Sequence, residues 1–195
     1  MITPTYHQLT LAACEIACTS GKIMANERKN FNSEAIESKG MHDLVSYVDK
    51  ESEIRIITAL QQLLPESGFI AEEGTSDKRG ERFNWVIDPL DGTTNFIQGV
   101  PLYCVSIGLM DGDELVVGVV YEVGRDECFY AWKDGGAYLN GEKIHVSNRG
   151  DIHDALLATG FPYSDFSRMD EYMKFLDWTM RNARGVRRLG SAAAD

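Results

Sequence analysis

The sequence predicts an α+β protein in which helices lie over a sheet built largely as a meander. Three features carry that expectation: two long Pro-free stretches near the start with helical apolar spacing, a middle region of short strand-like runs divided by Gly-containing turns, and a closing strand–helix–strand return.

In chain order, residues 6–31 carry Leu9, Ala13, Ile16, Ala17 and Ile23 near helical spacing and predict one long helix, weakened near Gly21. Residues 29–42 are polar and predict a loop or hairpin. A second helix is expected over 41–64, with Val45, Val48, Ile54, Ile57, Leu60 and Leu64 apolar and Pro65 ending it. The run GFIAEE at 68–73 predicts a short strand ending in paired acids, followed by a charged connector at 76–82. Residues 104–110 and 115–121 read as strands joined by Asp111-Gly112-Asp113, a good hairpin signal. Residues 127–132 add a strand, and Gly135 to Gly141 make a tight reversal into 144–146. That meander is expected to be scaffold. Residues 155–159 read as a strand, 170–184 as a helix, 186–189 as a short strand, and 190–195 as the start of another helix.

With 44% hydrophobic and 25% charged residues over 195 positions, the composition is that of a globular protein with a substantial core. A formal net charge of −11 argues against a nucleic-acid backbone as partner. No apolar run approaches the roughly 20 residues of a membrane span. The polar start, punctuated by Pro4, does not read as a signal peptide, so a cytoplasmic protein is expected. Cys14, Cys18, Cys104 and Cys128 lack zinc-site spacing and read as free thiols. The histidines His7, His42, His145 and His153 fall in no recognised motif and read as structural or exposed.

The stretch around which the rest is organised is WVIDPLDGTTNF at 85–96. Trp85, Val86 and Ile87 read as the end of a buried strand, which Pro89 is expected to stop. Asp88 and Asp91 then place two hard carboxylates three residues apart, before a Gly92-Thr93-Thr94-Asn95 run suited to starting a short helix. Carboxylates beside N–H groups that suit an oxyanion are a layout for a divalent cation held together with a phosphate. Asp-Gly-Thr alone more often marks a capped turn, and the length of the run argues against that here. Glu72 and Glu73 gain meaning from the same place. If neighbouring strands end level, Glu72 and Asp88 fall within one ion's reach. Asp49, on the second helix, would by itself be read as solvated.

The chain resembles the inositol monophosphatase family of magnesium-dependent, lithium-sensitive phosphatases. The resemblance is carried by DLVSYVD at 43–49, IAEE at 70–73, DPLDGTTNF at 88–96 and GGAYLNG at 135–141, with a weaker match in LGSAA at 189–193. Ala71 stands where the family usually has Gly. The resemblance implies a layered αβαβα sandwich, with 1–150 as an N-terminal α+β domain carrying the metal site and 151–195 as the start of a C-terminal α/β domain whose remainder is missing. It implies Mg2+ ligands at Glu72, Asp88, Asp91 and the Leu90 carbonyl, and inhibition by Li+. Asp49 and Thr93, assisted by Glu72, would orient and deprotonate an attacking water. Asp91, Gly92, Thr93, Gly190, Ser191 and Ala192 would contact the substrate.

The reaction implied is hydrolysis of a phosphate monoester, inositol monophosphate foremost, by water with no phospho-enzyme. A 3′-phosphoadenosine 5′-phosphate phosphatase or sugar bisphosphatase is the alternative within the superfamily. Family members continue for roughly another third of their length and there carry a W-D-x-A-G-type motif whose Asp completes a second metal site. A truncated, inactive binding or oligomer partner is therefore the alternative of another class. The implied partners are a small phosphorylated metabolite and a second copy of the chain, with no nucleic acid and no membrane.

Overall fold

The computed structural model describes residues 4–31, 36–40 and 43–195. Helix α1 (Tyr6–Lys29) starts at a capping box. Thr5 Oγ1 accepts from the Gln8 N–H while Gln8 Oε1 accepts from the Thr5 N–H at 2.9 Å. Its buried stripe is Leu9, Ala13, Ala17 and Met24. The expected weakness at Gly21 is absent, because the helix runs through it. A Cβ there would stand 2.4 Å from the Tyr121 ring, so glycine lets α1 lie directly on the sheet.

Within the expected loop-or-hairpin segment, β1 (Ile36–Gly40) pairs antiparallel with β2 (Asp43–Ser46), which lies beyond it. The helix expected from position 41 starts later. Met41 and His42 lie outside the described residues, Asp43–Ser46 is extended, and α2 is Tyr47–Leu63. Hydrogen bonding to β1 overrides the helical apolar spacing that included Val45.

The main sheet has seven strands in sequence order: β3 (Gly68–Ala71), β4 (Phe83–Asp91), β5 (Cys104–Asp111), β6 (Glu114–Glu122), β7 (Glu127–Trp132), β8 (Gly136–Leu139) and β9 (Glu142–Ile144). Only β3 and β4 are parallel; every later pair is antiparallel, as a meander requires. The GGAYLNG run is thus a strand as well as a reversal. The reversal itself is Asn140-Gly141, both at positive φ, with Asn140 Oδ1 accepting from the Cys128 N–H at 2.8 Å. Helices α1 and α2 cover one face over Trp85, Ile87, Val105, Ile107, Leu109, Val117, Val119 and Tyr121. Beyond the sheet, β10 (Leu156–Ala158) and β11 (Gly185–Arg187) pair in parallel and are joined by α4 (Met169–Asn182). Residues 192–194 form one turn, with the Asp195 N–H donating to the Ser191 carbonyl at 3.1 Å. Among the described residues no helix is long and apolar enough to cross a membrane.

One surface tie joins α1, β4 and β5. Arg82 donates to both oxygens of Asp111 at 2.6 and 2.7 Å, and the Tyr6 hydroxyl donates to Oδ2 at 2.6 Å. The Arg82 and Tyr6 hydrogen bonds bring the Asp111 carboxyl down to about 2. A carboxyl with a folded value below its unfolded one, roughly 3.9, stabilises fully above that pH and loses its contribution as pH falls towards 2. Asp111→Asn is expected to cost about 1 kcal/mol at pH 6, the upper range for a solvent-screened bidentate pair. Urea unfolding at a series of pH values should show that gap closing between about pH 4 and 2. A gap independent of pH would remove the charge from the explanation.

Candidate active site

The strand expected to stop at Pro89 continues through it to Asp91. Asp88 pairs with Ser106 and Asp91 with Cys104, so Pro89 and Leu90 stand opposite the single residue Val105. This two-for-one bulge tolerates a proline and has a decisive consequence. Two residues three apart on a regular strand point to opposite faces. Here their partners Ser106 and Cys104 are two apart, so Asp88 and Asp91 share a face. The bulge also folds inward. Asp88 Oδ1 accepts from the Leu90 N–H at 3.1 Å, which leaves the Leu90 carbonyl facing Thr93.

Glu72 arrives from the parallel neighbour. Ala71 pairs with Ile87 and the Glu72 N–H donates to the Ile87 carbonyl at 3.2 Å, so Glu72 stands level with Asp88. Burial first, then a hydrogen bond to Glu72 and the charges of Glu72 and Asp91, push the Asp88 carboxyl up to about 9.

After Asp91 the chain turns at Gly92 (φ 98°, ψ 35°), the residue that starts α3 (Thr93–Gln98). A Cβ at Gly92 would fall 3.2 Å from the Ser191 Cβ and 3.3 Å from the Gly190 carbonyl oxygen, so glycine is needed for both conformation and closeness. Thr93 Oγ1 lies 3.0 Å from Asp49 Oδ1 and 3.0 Å from the Leu90 carbonyl oxygen. A hydroxyl has one proton, so it donates to one of these acceptors at a time and keeps lone pairs for a third group. Asp49, read from sequence alone as solvated, is 2% exposed in the first turn of α2.

The last residues close the site on its other side. Asp91 Oδ2 accepts from Ser191 Oγ at 2.6 Å and the Ala193 N–H at 2.5 Å, and Oδ1 from the Ala192 N–H at 3.1 Å. Ser191 is buried and also reaches the Cys104 sulfur at 3.5 Å, whereas Ala192 is exposed. The structure thus gathers Asp49, Glu72, Asp88, Leu90, Asp91, Gly92, Thr93, Gly190, Ser191 and Ala192 around one end of the β3–β4–β5 edge. Both Asp91 oxygens are taken up by the 191–193 turn, and among the described residues no group of three His, Cys, Asp or Glu side chains is arranged to hold an ion. Of the histidines, His7 packs on the Trp132 ring at 4.5 Å, His145 and His153 are exposed, and His42 lies outside the described residues.

Two positioning residues were missed by sequence reasoning. Glu53, fully buried, accepts from the Glu73 N–H at 2.7 Å, the Thr75 N–H at 2.8 Å and the Thr75 hydroxyl at 2.7 Å, fixing the loop that presents Glu72. Its signal was its place one turn beyond Asp49 on the same helix face. Asn95 donates through Nδ2 to the Leu102 and Leu189 carbonyls, both at 2.8 Å, and so ties the central motif to the 189–193 segment.

The model of the inositol monophosphatase family matches residues 5–195. A protein named fructose-1,6-bisphosphatase/inositol-1-monophosphatase from Aquifex aeolicus is 36% identical over 92% of this chain and 68% of its own length. The Nus factor SuhB of Haemophilus influenzae is 38% identical over 94% of this chain and 69% of its own. The crystal structure of the extragenic suppressor protein suhB from Bartonella henselae superposes with a TM-score of 0.88 at 31% identity, covering 95% of this chain and 71% of that one. The layered α/β arrangement is that of these relatives, and the chain belongs to the inositol monophosphatase family.

Proposed function

We propose that the site hydrolyses a phosphate monoester with Mg2+, inositol monophosphate foremost, and that a nucleoside or sugar bisphosphate is the alternative within the same chemistry. The observation that carries this reading is the β4 bulge, which sets Asp88 and Asp91 on one face with Glu72 level with Asp88. The residues fit a hard cation. Glu72, Asp88, Asp91 and the Leu90 carbonyl are all oxygen donors, and an Asp88 carboxyl held near 9 by burial and by its acidic neighbours marks a buried charge excess that a divalent ion relieves. Such an ion would neutralise charge on the phosphate and acidify a water.

The rest falls to the chain's own groups. Thr93, with its proton on Asp49, accepts from a water through a lone pair, and Asp49 takes up the proton that leaves. The Gly92 and Thr93 N–H groups face the phosphate, and the 190–192 segment lies on the alcohol side. Four free thiols suit a reducing cytoplasm. A binding role beside the chemistry is a second reading, favoured by the 38% identity to a relative named Nus factor.

The test is phosphate release from inositol 1-phosphate, 3′-phosphoadenosine 5′-phosphate and fructose 1,6-bisphosphate, with Mg2+, with EDTA and with added Li+. Release that needs Mg2+ and is inhibited by Li+ is expected. Release unaffected by EDTA, or none from any of the three, would sink the reading. Thr93→Ala should lower kcat by about 10²–10³-fold with little change in melting temperature, since it removes the hydroxyl that links water to Asp49 but no apolar packing. An unfolded variant would instead make Thr93 structural.

A further inference from the structure

The glycine that lets α1 lie on the sheet also brings three thiols together. Gly21 stands against the Tyr121 ring, and Tyr121 pairs with Cys128 across β6 and β7. Cys18 and Cys14 precede Gly21 by about one and two helical turns, so both fall on the side of α1 that packs over β7. The Cys128 thiol stands within hydrogen-bonding reach of each. All three are free; Cys128 is buried, whereas Cys14 and Cys18 are half-buried. Lys22 and Asp126, an exposed ion pair at 4.0 Å, border Cys18 and mark the open edge of the cluster. A hydrogen bond to Cys14, partly offset by one to Cys18, and burial push the Cys128 thiol up to about 12. The Cys18 thiol is raised too, by its bond to Cys128 first and by burial next. A bond that raises a thiol is one it donates, and a bond that lowers it is one it accepts. Cys18 thus donates to Cys128, Cys128 donates to Cys14, and Cys14 ends the row as acceptor.

We infer that Cys14, Cys18 and Cys128 form a peroxide-sensitive modification site at which a disulfide closes between helix α1 and strand β7. This chemistry lies outside phosphate-ester hydrolysis and does not depend on it. Hydrogen peroxide is the oxidant. The Cys14 sulfur takes one peroxide oxygen, the O–O bond breaks, and the second oxygen leaves with the displaced thiol proton as water. The resulting sulfenic acid faces the Cys128 S–H. The Cys128 sulfur attacks the Cys14 sulfur, the S–O bond breaks, and the Cys128 proton leaves with the hydroxyl as a second water. Two thiols lose two electrons, and one peroxide gains them. Contact between the sulfurs compensates for the small thiolate fraction of a raised thiol. Cys18 is the exchange partner. Its sulfur attacks that of Cys128, a Cys18–Cys128 bond forms, and Cys14 is released as the thiol carrying the Cys18 proton. Either bond closes a long loop of chain and locks the helix onto the sheet.

The experiment treats the folded full chain with hydrogen peroxide, removes the excess with catalase, and unfolds the protein in urea containing N-ethylmaleimide. Unreduced peptides are then mapped by mass spectrometry. Two of the four cysteines should lose their maleimide adducts, with Cys14–Cys128 and Cys18–Cys128 peptides present and Cys104 still alkylated. Dithiothreitol should restore all the adducts. The oxidised chain should melt roughly 5–10 °C above the reduced one, as for a cross-link that closes a long loop. Cys18→Ser should leave the Cys14–Cys128 peptide alone. Cys128→Ser should form no disulfide and should instead yield a Cys14 sulfenic acid that dimedone traps. Retention of all four adducts after peroxide would overturn the proposal. So would a disulfide joining Cys14 to Cys18, involving Cys104, or linking two chains. The peptide map of the unaltered chain decides the matter even where a variant does not fold.

Discussion

Asp91→Asn is expected to reduce phosphate release by roughly 10³-fold or more, the range for removing a preorganised group that acts on transition-state charge. The substitution keeps size and deletes a negative charge from a face that Asp88 shares. It also disturbs structure in a defined way. Both Asp91 oxygens accept, one from Ala192 N–H and the other from Ser191 Oγ and Ala193 N–H. An Asn side chain offers one oxygen and one NH2, so at least one donor meets a donor, at a cost of about 1–3 kcal/mol. The two effects are separable. Mg2+ titration by calorimetry reports the lost ligand, and hydrogen exchange at the Ala192 and Ala193 amides reports the loosened turn. Full activity in this variant would take Asp91 out of the site.

The second large effect is expected away from the reacting groups, at Glu53→Gln. Glu53 is fully buried and its carboxylate receives three hydrogen bonds from Glu73 and Thr75. Glutamine keeps the acceptor facing Thr75 but turns an NH2 towards the Glu73 N–H, or the reverse. Losing a charge-assisted bond and creating a buried donor clash should cost about 2–3 kcal/mol, which lowers the melting temperature by roughly 5–10 °C in a chain of this size. Because Glu72 adjoins the released loop, apparent Mg2+ affinity should weaken about 10- to 100-fold, as for other groups that orient a ligand. Urea unfolding and the Mg2+ dependence of phosphate release measure the two consequences independently. Lost stability with unchanged Mg2+ dependence would make Glu53 scaffold only.

The legible parts of this chain were those governed by local chemistry. Most strands of the antiparallel meander from β4 to β9 announced themselves through short apolar runs and turn residues, and Gly112, Asn140 and Gly141 do adopt the positive φ that such turns need. The first helix's start near Tyr6 and the second's stop before Pro65 were visible for the same reason. Errors arose where a distant segment decided. Residues 43–46 lie within a helical apolar pattern yet pair with β1, and Gly21 sits in mid-helix because Tyr121, a hundred positions away in sequence, occupies the space its side chain would fill.

For the candidate site, the sequence by itself determined the chemical inventory: the acids, the hydroxyl, the glycines and their order, all recognisable as a family pattern. Tertiary structure decided what those groups do to one another. Pro89 looked like a strand stop, and only pairing with β5 makes it half of the bulge that turns Asp88 and Asp91 to one side. Asp49 is buried against Thr93 because α2 packs beside β4, and Asp91 bonds to Ser191, Ala192 and Ala193 because the last turn docks there. Periodicity and capping act over a few residues and can be read along the chain. Burial, register and the crowding that raises Asp88 depend on contacts between segments far apart in sequence, and these exist only once the sheet has assembled.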